Sequence, residues 1–167
     1  LLRTQLPEIV DMDMPVEGVF HNCVIVSINK RFPMQSRRLM SALWGLGQMS
    51  LVKTIITVDA TVNVHNYDEV INLLLNKVNF EYDLFFSEGI LDVLNHASDN
   101  MLYGSKLGID LTEKVEGEPG FGVNAPSAST DSVPPSTEEV NLSFPELNSY
   151  RFLNFNSQRP IMLAALN

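Results

Sequence analysis

Residues 15–31 read PVEGVFHNCVIVSINKR, a polar turn followed by an unbroken apolar run and two basic residues. Val24, Ile25 and Val26 are consecutive β-branched residues, whereas a strand with one face in water would alternate apolar and polar side chains. The run therefore predicts a strand over 19–28 that is covered on both faces, as in a parallel sheet between helices.

A helix is predicted directly after this strand. Pro33 suits a first helical turn, where its missing N–H is not needed. Apolar residues then recur at helical spacing on one face, at Leu39, Met40, Leu43 and Leu46. Gly45 and Gly47 are expected to end the helix, because glycine readily adopts the conformations that terminate helices.

Further elements are predicted on both sides of this unit. Residues 54–58 (TIITV) indicate a second buried strand, and residues 8–14 a short strand at the start. Asn66, with Glu69 three residues later, is a capping-box pattern that opens a helix. The predicted apolar face of that helix is Val70, Ile71, Leu74, Leu75 and Val78. Residues 82–86 predict a third strand, and residues 91–94 at most a short helix.

The order of elements predicts an α/β domain with a mixed, largely parallel sheet flanked by helices. We assign this domain to residues 1–114. Residues 115–149 are rich in proline, serine and glutamate and hold no lysine or arginine. Such a segment buries too little apolar area to offset its ordering entropy, so an irregular acidic linker or tail is expected. Residues 150–167 regain apolar density and are predicted to be a docking segment.

Composition disfavours several classes of function. The net charge of −9 repels phosphates, so neither nucleic acid nor an anionic membrane is an expected partner. No apolar run approaches the ~20 residues of a transmembrane segment, and no signal peptide is visible. The single cysteine, Cys23, cannot form an internal disulfide, which indicates a cytoplasmic location. Because the chain starts at Leu1 without an initiator methionine, we expect a fragment of a longer polypeptide.

The histidines and the cysteine offer little sign of catalysis. His21, His65 and His96 are too widely spaced for a zinc motif. His21 is expected in a strand and His65 in a loop before a helix. Cys23 lies among apolar residues and is expected to be an inert thiol with a raised pKa.

Charged residues are the remaining candidates for a site. Asp11, Asp13 and Glu17 could do acid–base work, although solvation and capping are their usual roles in a turn. Lys106 lies between two glycines in 104–108 (GSKLG), an expected irregular segment that could bring a cation to an anionic ligand. A further basic group suits either a solvated helix face or an anionic partner: Lys30, Arg31, Arg37, Arg38 and Lys53.

Four separated strings resemble, in order, the C-terminal half of the UbiD family of aromatic and acrylic acid decarboxylases. They are PEIVDMDMPVEGVFHNCVIVSINKR at 7–31, ALWGLGQMSLVKTIITVDATVNVHNYDEV at 42–70, EGILDVLNHAS at 88–98 and GSKLGIDLTEK at 104–114. The family includes 3-octaprenyl-4-hydroxybenzoate carboxy-lyase.

The resemblance implies prenylated FMN as cofactor, with a divalent metal (typically manganese) and a monovalent cation. It places the catalytic residues and metal ligands on an N-terminal flavin-binding domain outside this chain, so no catalytic residue is assigned here and the fragment alone is expected to be inactive. Lys106 matches a family lysine that reaches towards the cofactor. Ile9, Asp11 and Asp13 match a segment that lines the substrate end of the cleft.

The function implied by the resemblance is the C-terminal domain of a decarboxylase of polyprenyl-4-hydroxybenzoate or a related aromatic acid in quinone biosynthesis. Such a domain supplies scaffold, oligomer contacts and one wall of the cleft. The implied partners are the N-terminal domain, further copies of the chain, the aromatic acid and a flavin prenyltransferase that supplies the cofactor. Two alternatives remain: a non-catalytic oligomeric interaction module derived from such a decarboxylase, and a small-molecule-sensing α/β domain.

Overall fold

The structure is a computed structural model and describes residues 2–122; the predictions for 123–149 and for the docking segment at 150–167 lie outside these residues. The elements are α1 (Leu2–Gln5), β1 (Ile9–Asp13), a 3-10 turn (Val16–Gly18), β2 (Cys23–Ile28), α2 (Gln35–Trp44), a second 3-10 turn (Gly47–Leu51), β3 (Thr54–Asp59), α3 (Tyr67–Asn76), β4 (Leu84–Ile90) and β5 (Tyr103–Asp110). Within residues 2–122, no helix is long and apolar enough to cross a lipid bilayer.

The five strands form one sheet in the order β1-β2-β3-β5-β4. The three inner strands, β2, β3 and β5, are parallel to one another. The two outer strands are antiparallel to their neighbours, and the register of β1 on β2 shifts between Ile9 and Asp11. The sheet is thus mixed, with a parallel centre and helices beside it, which confirms the predicted fold class.

The unbroken apolar run of β2 is explained by cores on both faces of the sheet. Val24, Val26 and Ile28 pack with α2 in one core. Ile25 points to the other face and packs in a second core with α3, where Val58, Val64, Val70, Ile109 and Leu111 are also buried. Val24, Ile25, Val26 and Ile28 are therefore buried, as the sequence predicts. The strand begins at Cys23, however, and not at residue 19, because Val19 and Phe20 lie in the turn before it and are exposed.

The last two strands differ from the prediction. The strand expected at 82–86 is the antiparallel edge strand β4, which begins at Leu84 and runs to Ile90. The third parallel strand is β5, which contains the 104–108 segment that was expected to be irregular. Glycine is unfavourable in strands, but a Cβ at Gly108 would lie 2.4 Å from Met40 Sδ, so close packing requires glycine there. Residues 91–94 form no helix.

Helix boundaries agree with the prediction more closely than helix faces do. Helix α2 runs from Gln35 to Trp44, so Gly45 caps its end as predicted, while Pro33 lies two residues before the helix rather than in its first turn. The Asn66 side chain accepts the Glu69 N–H at the start of α3, which confirms the predicted N-cap. The reciprocal half of the capping box does not form, because the Asn66 backbone N–H donates to the Asn63 carbonyl. Ile71 and Leu75, however, are exposed, while the neighbouring Leu73 packs on the second core. The predicted apolar face was therefore too wide.

Candidate functional site

A polar cluster lies at the β1 edge of the sheet. Asp11 and Asp13 are two residues apart on β1, so both carboxylates lie on one side of the strand. His65, in the loop before α3, places Nδ1 3.1 Å from Asp13 Oδ1 and Nε2 3.2 Å from Asp11 Oδ2. The Tyr67 hydroxyl donates to Asp13 Oδ2 at 2.6 Å. Two of the three predicted cleft residues are thus held by side chains that are distant in sequence.

The chemistry of this cluster depends on proton positions. A neutral imidazole carries one N–H, so His65 can donate to both carboxylates only as an imidazolium. The hydrogen bond to the Asp13 carboxylate is the main reason that the pKa of Tyr67 is raised to about 12. Tyr67 therefore remains a hydrogen-bond donor at neutral pH. The third predicted cleft residue, Ile9, is buried in the core beside α2 and does not join the cluster.

A pocket of about 690 Å³ opens near this cluster, at the amino ends of β2 and β3. Its lining includes Glu17, Asn22, Cys23, Lys53 and His96. Burial and the nearby Asp13 charge raise the pKa of the Cys23 thiol to about 11. The thiol is therefore protonated at neutral pH, as the sequence predicts, and it is a poor nucleophile. The Lys53 ammonium donates to Asn95 Oδ1 at 3.0 Å, which ties the two sides of the pocket together.

Lys106 lies on β5 and not in a loop, and its side chain is only 3% exposed. Its ammonium donates to the carbonyls of Ser50 at 2.5 Å and Val52 at 2.9 Å. In the described residues no carboxylate contacts this ammonium, and burial lowers the pKa of Lys106 to about 8. Lys106 thus closes the end of the second 3-10 turn, and it is not among the residues that line the pocket.

The carboxyl ends of the parallel strands carry a buried ionic network. Lys30 donates to Glu118 Oε2 at 2.5 Å and to Thr112 Oγ1 at 3.0 Å. Lys114 lies 2.7 Å from Asp83 Oδ1 and 3.0 Å from an oxygen of Asp110. Since each of these charges has an internal partner, the network holds the loops at this edge of the sheet together and leaves none of these charged groups free to bind a ligand.

Most of the basic group identified in the sequence has internal partners. Lys30 belongs to the network above, and Arg38 pairs with Glu8. Arg37 donates to the Tyr82 carbonyl at 2.7 Å. These contacts differ from both predicted alternatives, a solvated helix face and an anionic partner, because the three side chains bond to groups within the domain.

Sequence reasoning missed the parts of the site that long-range contacts create. The sequence predicts only a loop position for His65, whereas the structure joins it to Asp11 and Asp13, 54 and 52 positions away in the sequence. His21 precedes β2 rather than lying in it, and its Nδ1 is 2.7 Å from Asp92 Oδ2.

The fold described here is that of the C-terminal domains of UbiD-class decarboxylases. The vanillic acid decarboxylase of Sedimentibacter hydroxybenzoicus, in open form, superposes with a TM-score of 0.65 at 24% identity, over 81% of this chain and 28% of that one. The UbiD-class enzyme HmfF of Pelotomaculum thermopropionicum, in complex with FMN, gives a TM-score of 0.60 at 19% identity, over 80% of this chain and 28% of that one.

The sequence assigns the family. The sequence model of the 3-octaprenyl-4-hydroxybenzoate carboxy-lyase C-terminal domain, UbiD_C, matches residues 1–111, and the chain belongs to this family. Uncharacterised proteins of Aeropyrum pernix and Archaeoglobus fulgidus are each 42% identical to it, over 84% and 71% of the chain. The chain spans 28% and 25% of the length of these two relatives.

Proposed function

We propose that the chain is the C-terminal domain of a prenylated-FMN-dependent, non-oxidative decarboxylase of aromatic acids. The family match over residues 1–111 carries this proposal. Within that class we favour a polyprenyl-4-hydroxybenzoate in quinone biosynthesis as substrate, because the family is described by that activity. The domain would supply scaffold, contacts between copies of the chain and one wall of the cleft, in a cytoplasmic enzyme whose cofactor comes from a flavin prenyltransferase.

The cofactor's chemistry can be compared with the residues present. Prenylated FMN supplies the electrophilic ring that holds the substrate while carbon dioxide leaves. Its phosphate needs a cation. Within the described residues the Lys106 ammonium has no carboxylate partner, since it donates to two carbonyls and lies 5.8 Å from the centre of the Trp44 ring, so its charge fits an anion. Because Lys106 is buried, direct contact between its ammonium and the cofactor phosphate would require the turn Gly47–Leu51 to move. The positive charge of Lys106 therefore suits the cofactor phosphate, and we propose Lys106 as a cofactor contact.

The described residues do not suggest a metal centre. Within residues 2–122, no group of three or more His, Cys, Asp or Glu side chains is placed to hold an ion. We therefore propose that the ligands of manganese and of the monovalent cation lie elsewhere in the longer polypeptide. Asp11, Asp13 and His65 are proposed to face the substrate end of the cleft as a hydrogen-bonded group rather than as ligands.

The experiment compares the 167-residue chain with the full-length polypeptide encoded by the same reading frame. Both are supplied with prenylated FMN, and carbon dioxide release from 4-hydroxybenzoates is measured. We expect release from the full-length protein and none from the 167-residue chain. Release from the short chain would refute the assignment of chemistry to the rest of the polypeptide. A reading frame that starts at Leu1 would instead favour the non-catalytic interaction module.

Substitution of Lys106 tests the cofactor contact within the full-length protein. Lys106→Met keeps much of the apolar volume and removes a charge-assisted contact worth about 1.5–3 kcal/mol. We expect weaker cofactor retention on gel filtration, with Lys77→Met, at an exposed position that does not line the pocket, as the control for loss of one positive charge. Equal retention by the Lys106 variant and the parent protein would show that the ammonium serves only the turn at Ser50 and Val52.

A further inference from the structure

Lys106 is a buried charge with an unusual set of partners. Two other lysines with mostly buried side chains, Lys30 and Lys114, pair with carboxylates. Within the described residues the Lys106 ammonium meets no carboxylate: it donates to two carbonyls and lies 5.8 Å from the centre of the Trp44 ring. Burial alone accounts for the lowered pKa of Lys106. A buried charge without a counter-charge is costly, so an anion that reached this ammonium would bind favourably.

The second 3-10 turn covers this ammonium. The two accepting carbonyls belong to Ser50, inside the turn, and to Val52, the residue that ends it. The last carbonyls of a helical turn are not used by hydrogen bonds inside the turn, so they are available to a lysine. The turn, GQMSL, has no charged side chain of its own. It therefore shields Lys106 while offering the ammonium only neutral groups.

Gly47, the first residue of this turn, is suited to act as a hinge. Its φ is 48°, and a Cβ added there would meet nothing within 4 Å. Leu46 and Val52, on either side of the turn, are extended. Inside the segment, the Met49 N–H donates to Leu46 O and the Val52 N–H to Met49 O. A short unit that is bonded internally and begins at a glycine can change position through rotation of a few backbone dihedrals.

Few contacts besides Lys106 hold the turn in place. The Met49 side chain is 7% exposed and packs in the core beside α2. The Trp44 Nε1 donates to the Val52 carbonyl at 3.0 Å. One buried methionine and one neutral hydrogen bond are a modest restraint, of the size that a single charge-assisted contact can offset.

The turn also leads directly to the pocket. Val52 accepts from Lys106, whereas the next residue, Lys53, lines the pocket. The Lys53 carbonyl accepts the Leu107 N–H at 2.9 Å, so the chain after the turn is fixed to β5 next to Lys106. Since Lys106 is only 3% exposed, an anion reaches its ammonium only when the turn before Lys53 moves.

We propose that the second 3-10 turn is a lid, which is closed on the Lys106 ammonium in the protein without ligand and opens when a phosphate group binds that ammonium. The inference rests on the proposed function, in which the phosphate is that of the cofactor. A phosphate is a stronger partner for an ammonium than two neutral carbonyls are. Because the closed turn excludes the phosphate, the anion binds only the open position and shifts the equilibrium towards it. The position of the lid thus depends on whether the cofactor is bound.

Oxidation of Met49 by hydrogen peroxide, measured by mass spectrometry, tests the proposal. The full-length polypeptide is oxidised in the dark without ligand, with FMN, and with riboflavin, which has the same ring and no phosphate. We expect FMN to raise the oxidation rate of Met49 at least about three-fold, because an open lid exposes its sulfur to solvent. Riboflavin should leave the rate unchanged. Met40, buried on α2 in the same core, is the internal control and should stay protected in every sample.

A Met49 oxidation rate that FMN does not change would overturn the lid. An equal rise with FMN and with riboflavin would overturn it as well, since the ring and not the phosphate would then move the turn.

Substitution of Lys106 tests whether its charge is what the phosphate binds. In full-length Lys106→Met we expect Met49 oxidation to be the same with and without FMN. Lys77→Met, at an exposed position, loses the same charge and should respond to FMN as the parent protein does. Circular dichroism checks that both variants are folded. A Lys106→Met protein in which FMN still raised Met49 oxidation would contradict the proposed role of the ammonium.

A pair of glycine variants tests the hinge without any ligand. Gly47→Ala strains the closed lid, because alanine is unfavourable at a φ of 48°. Gly45→Ala is the matched control, since Gly45 lies in the right-handed helical region. We expect faster Met49 oxidation in Gly47→Ala than in the parent protein, and the parent rate in Gly45→Ala. Equal rates in the two variants would refute the hinge at Gly47.

The outcomes also distinguish the lid from the proposed function. Met49 oxidation that rises with FMN, in a full-length protein that releases no carbon dioxide with prenylated FMN, would support the lid and refute the function. Carbon dioxide release from a protein whose Met49 oxidation ignores FMN would overturn the lid and leave the function intact.

Discussion

Glu118 determines how the chain continues after the last strand. Its carboxylate accepts the Met34 N–H at 2.6 Å and the Val115 N–H at 2.9 Å, besides the Lys30 ammonium. The Lys30 and Glu118 side chains are 4% and 2% exposed, so neither charge is compensated by water. The segment directly after residue 114 is thus held against the domain through this one side chain, and the domain boundary at that residue stays a prediction.

Removal of the Glu118 carboxylate is predicted to be strongly destabilising. Glu118→Ala leaves a buried ammonium without its nearest counter-charge, which costs about 3–5 kcal/mol in comparable buried pairs. Because Asp110 lies 3.9 Å from Lys30 and shares its charge, we expect the lower end of this range. Urea unfolding of the 167-residue chain measures the change in the free energy of unfolding.

The matched control for this prediction is Glu116→Ala, in the same segment but exposed. We expect its free energy of unfolding to stay within about 0.5 kcal/mol of the parent protein. If the two variants lost equal free energies of unfolding, the net charge of the segment, and not the contact between Glu118 and Lys30, would be what stabilises the domain.

Gly108 limits the packing of α2 on the sheet. An added Cβ would lie 2.4 Å from Met40 Sδ and 3.4 Å from Phe85 Cβ, so the fully buried Met40 side chain would have to shift within the core. Gly108→Ala should therefore lower the free energy of unfolding by about 1–3 kcal/mol, as overpacked cores do. Thermal unfolding followed by circular dichroism measures it.

Gly45→Ala is the control for the Gly108 substitution. Its Cβ would meet Ala42 O at 3.5 Å and Ser41 O at 3.7 Å, both ordinary contacts, and its backbone is in the right-handed helical region. A melting temperature of Gly108→Ala as high as that of Gly45→Ala would show that α2 shifts freely on the sheet.

At the scale of elements, the sequence predicts best where the pattern is set by local burial. The unbroken apolar run of β2 follows from cores on both faces, and the Asn66 cap is a contact within four residues. Strands β4 and β5 were misjudged because their order is decided by pairing between distant segments. The candidate site also depends on contacts between segments that are distant in sequence. The sequence therefore identifies Asp11 and Asp13 but not their partner His65.

The network at the carboxyl ends predicts how stability depends on pH. Burial alone would raise the pKa of Asp110, but the Lys114 and Lys30 charges and the Thr112 hydroxyl together hold it below its ordinary value. Burial alone would lower the pKa of Lys114, but the Asp110 and Asp83 carboxylates raise it. The charged Asp110 side chain therefore stabilises the fold at pH values above about 3.9, the pKa of an aspartate in the unfolded chain. The charged Lys114 side chain does so at pH values below about 10.4, the pKa of a lysine in the unfolded chain.

Lys114→Met isolates this contribution. The parent protein should be more stable than the variant by a constant amount, roughly 1.5–3 kcal/mol, between about pH 5 and pH 9. The difference should shrink as the pH falls through the lowered pKa of Asp110 and as it rises through the raised pKa of Lys114. Urea unfolding across the pH range measures it. Lys77→Met, at an exposed position, is the control and should show little difference at any pH.

A difference between the parent protein and Lys114→Met that stayed constant down to pH 2 would count against this account. It would mean that Lys114 stabilises the fold through its hydrocarbon chain rather than through its charge.

At the scale of the whole molecule, charge and apolar surface act in opposite directions on association. A net charge of −9 makes two copies repel each other, while exposed apolar residues favour burial. Since the Debye length is about 10 Å at 0.1 M salt, added salt weakens the repulsion between copies and leaves apolar contacts intact. The proposed homo-oligomer should therefore become tighter, not weaker, as the salt concentration rises.

Sedimentation equilibrium of the 167-residue chain measures this effect. We expect the dissociation constant of the dimer to fall several-fold between roughly 20 mM and 300 mM sodium chloride, in line with the screening of surface charge. Glu116→Lys reduces the net negative charge by two at an exposed position, and its dissociation constant should depend less on salt. A dimer that dissociates as salt is added would be held by opposite charges across its interface. A monomer at every salt concentration would remove the homo-oligomer from the proposed function, since apolar burial would then be too weak to join two copies even when their repulsion is screened.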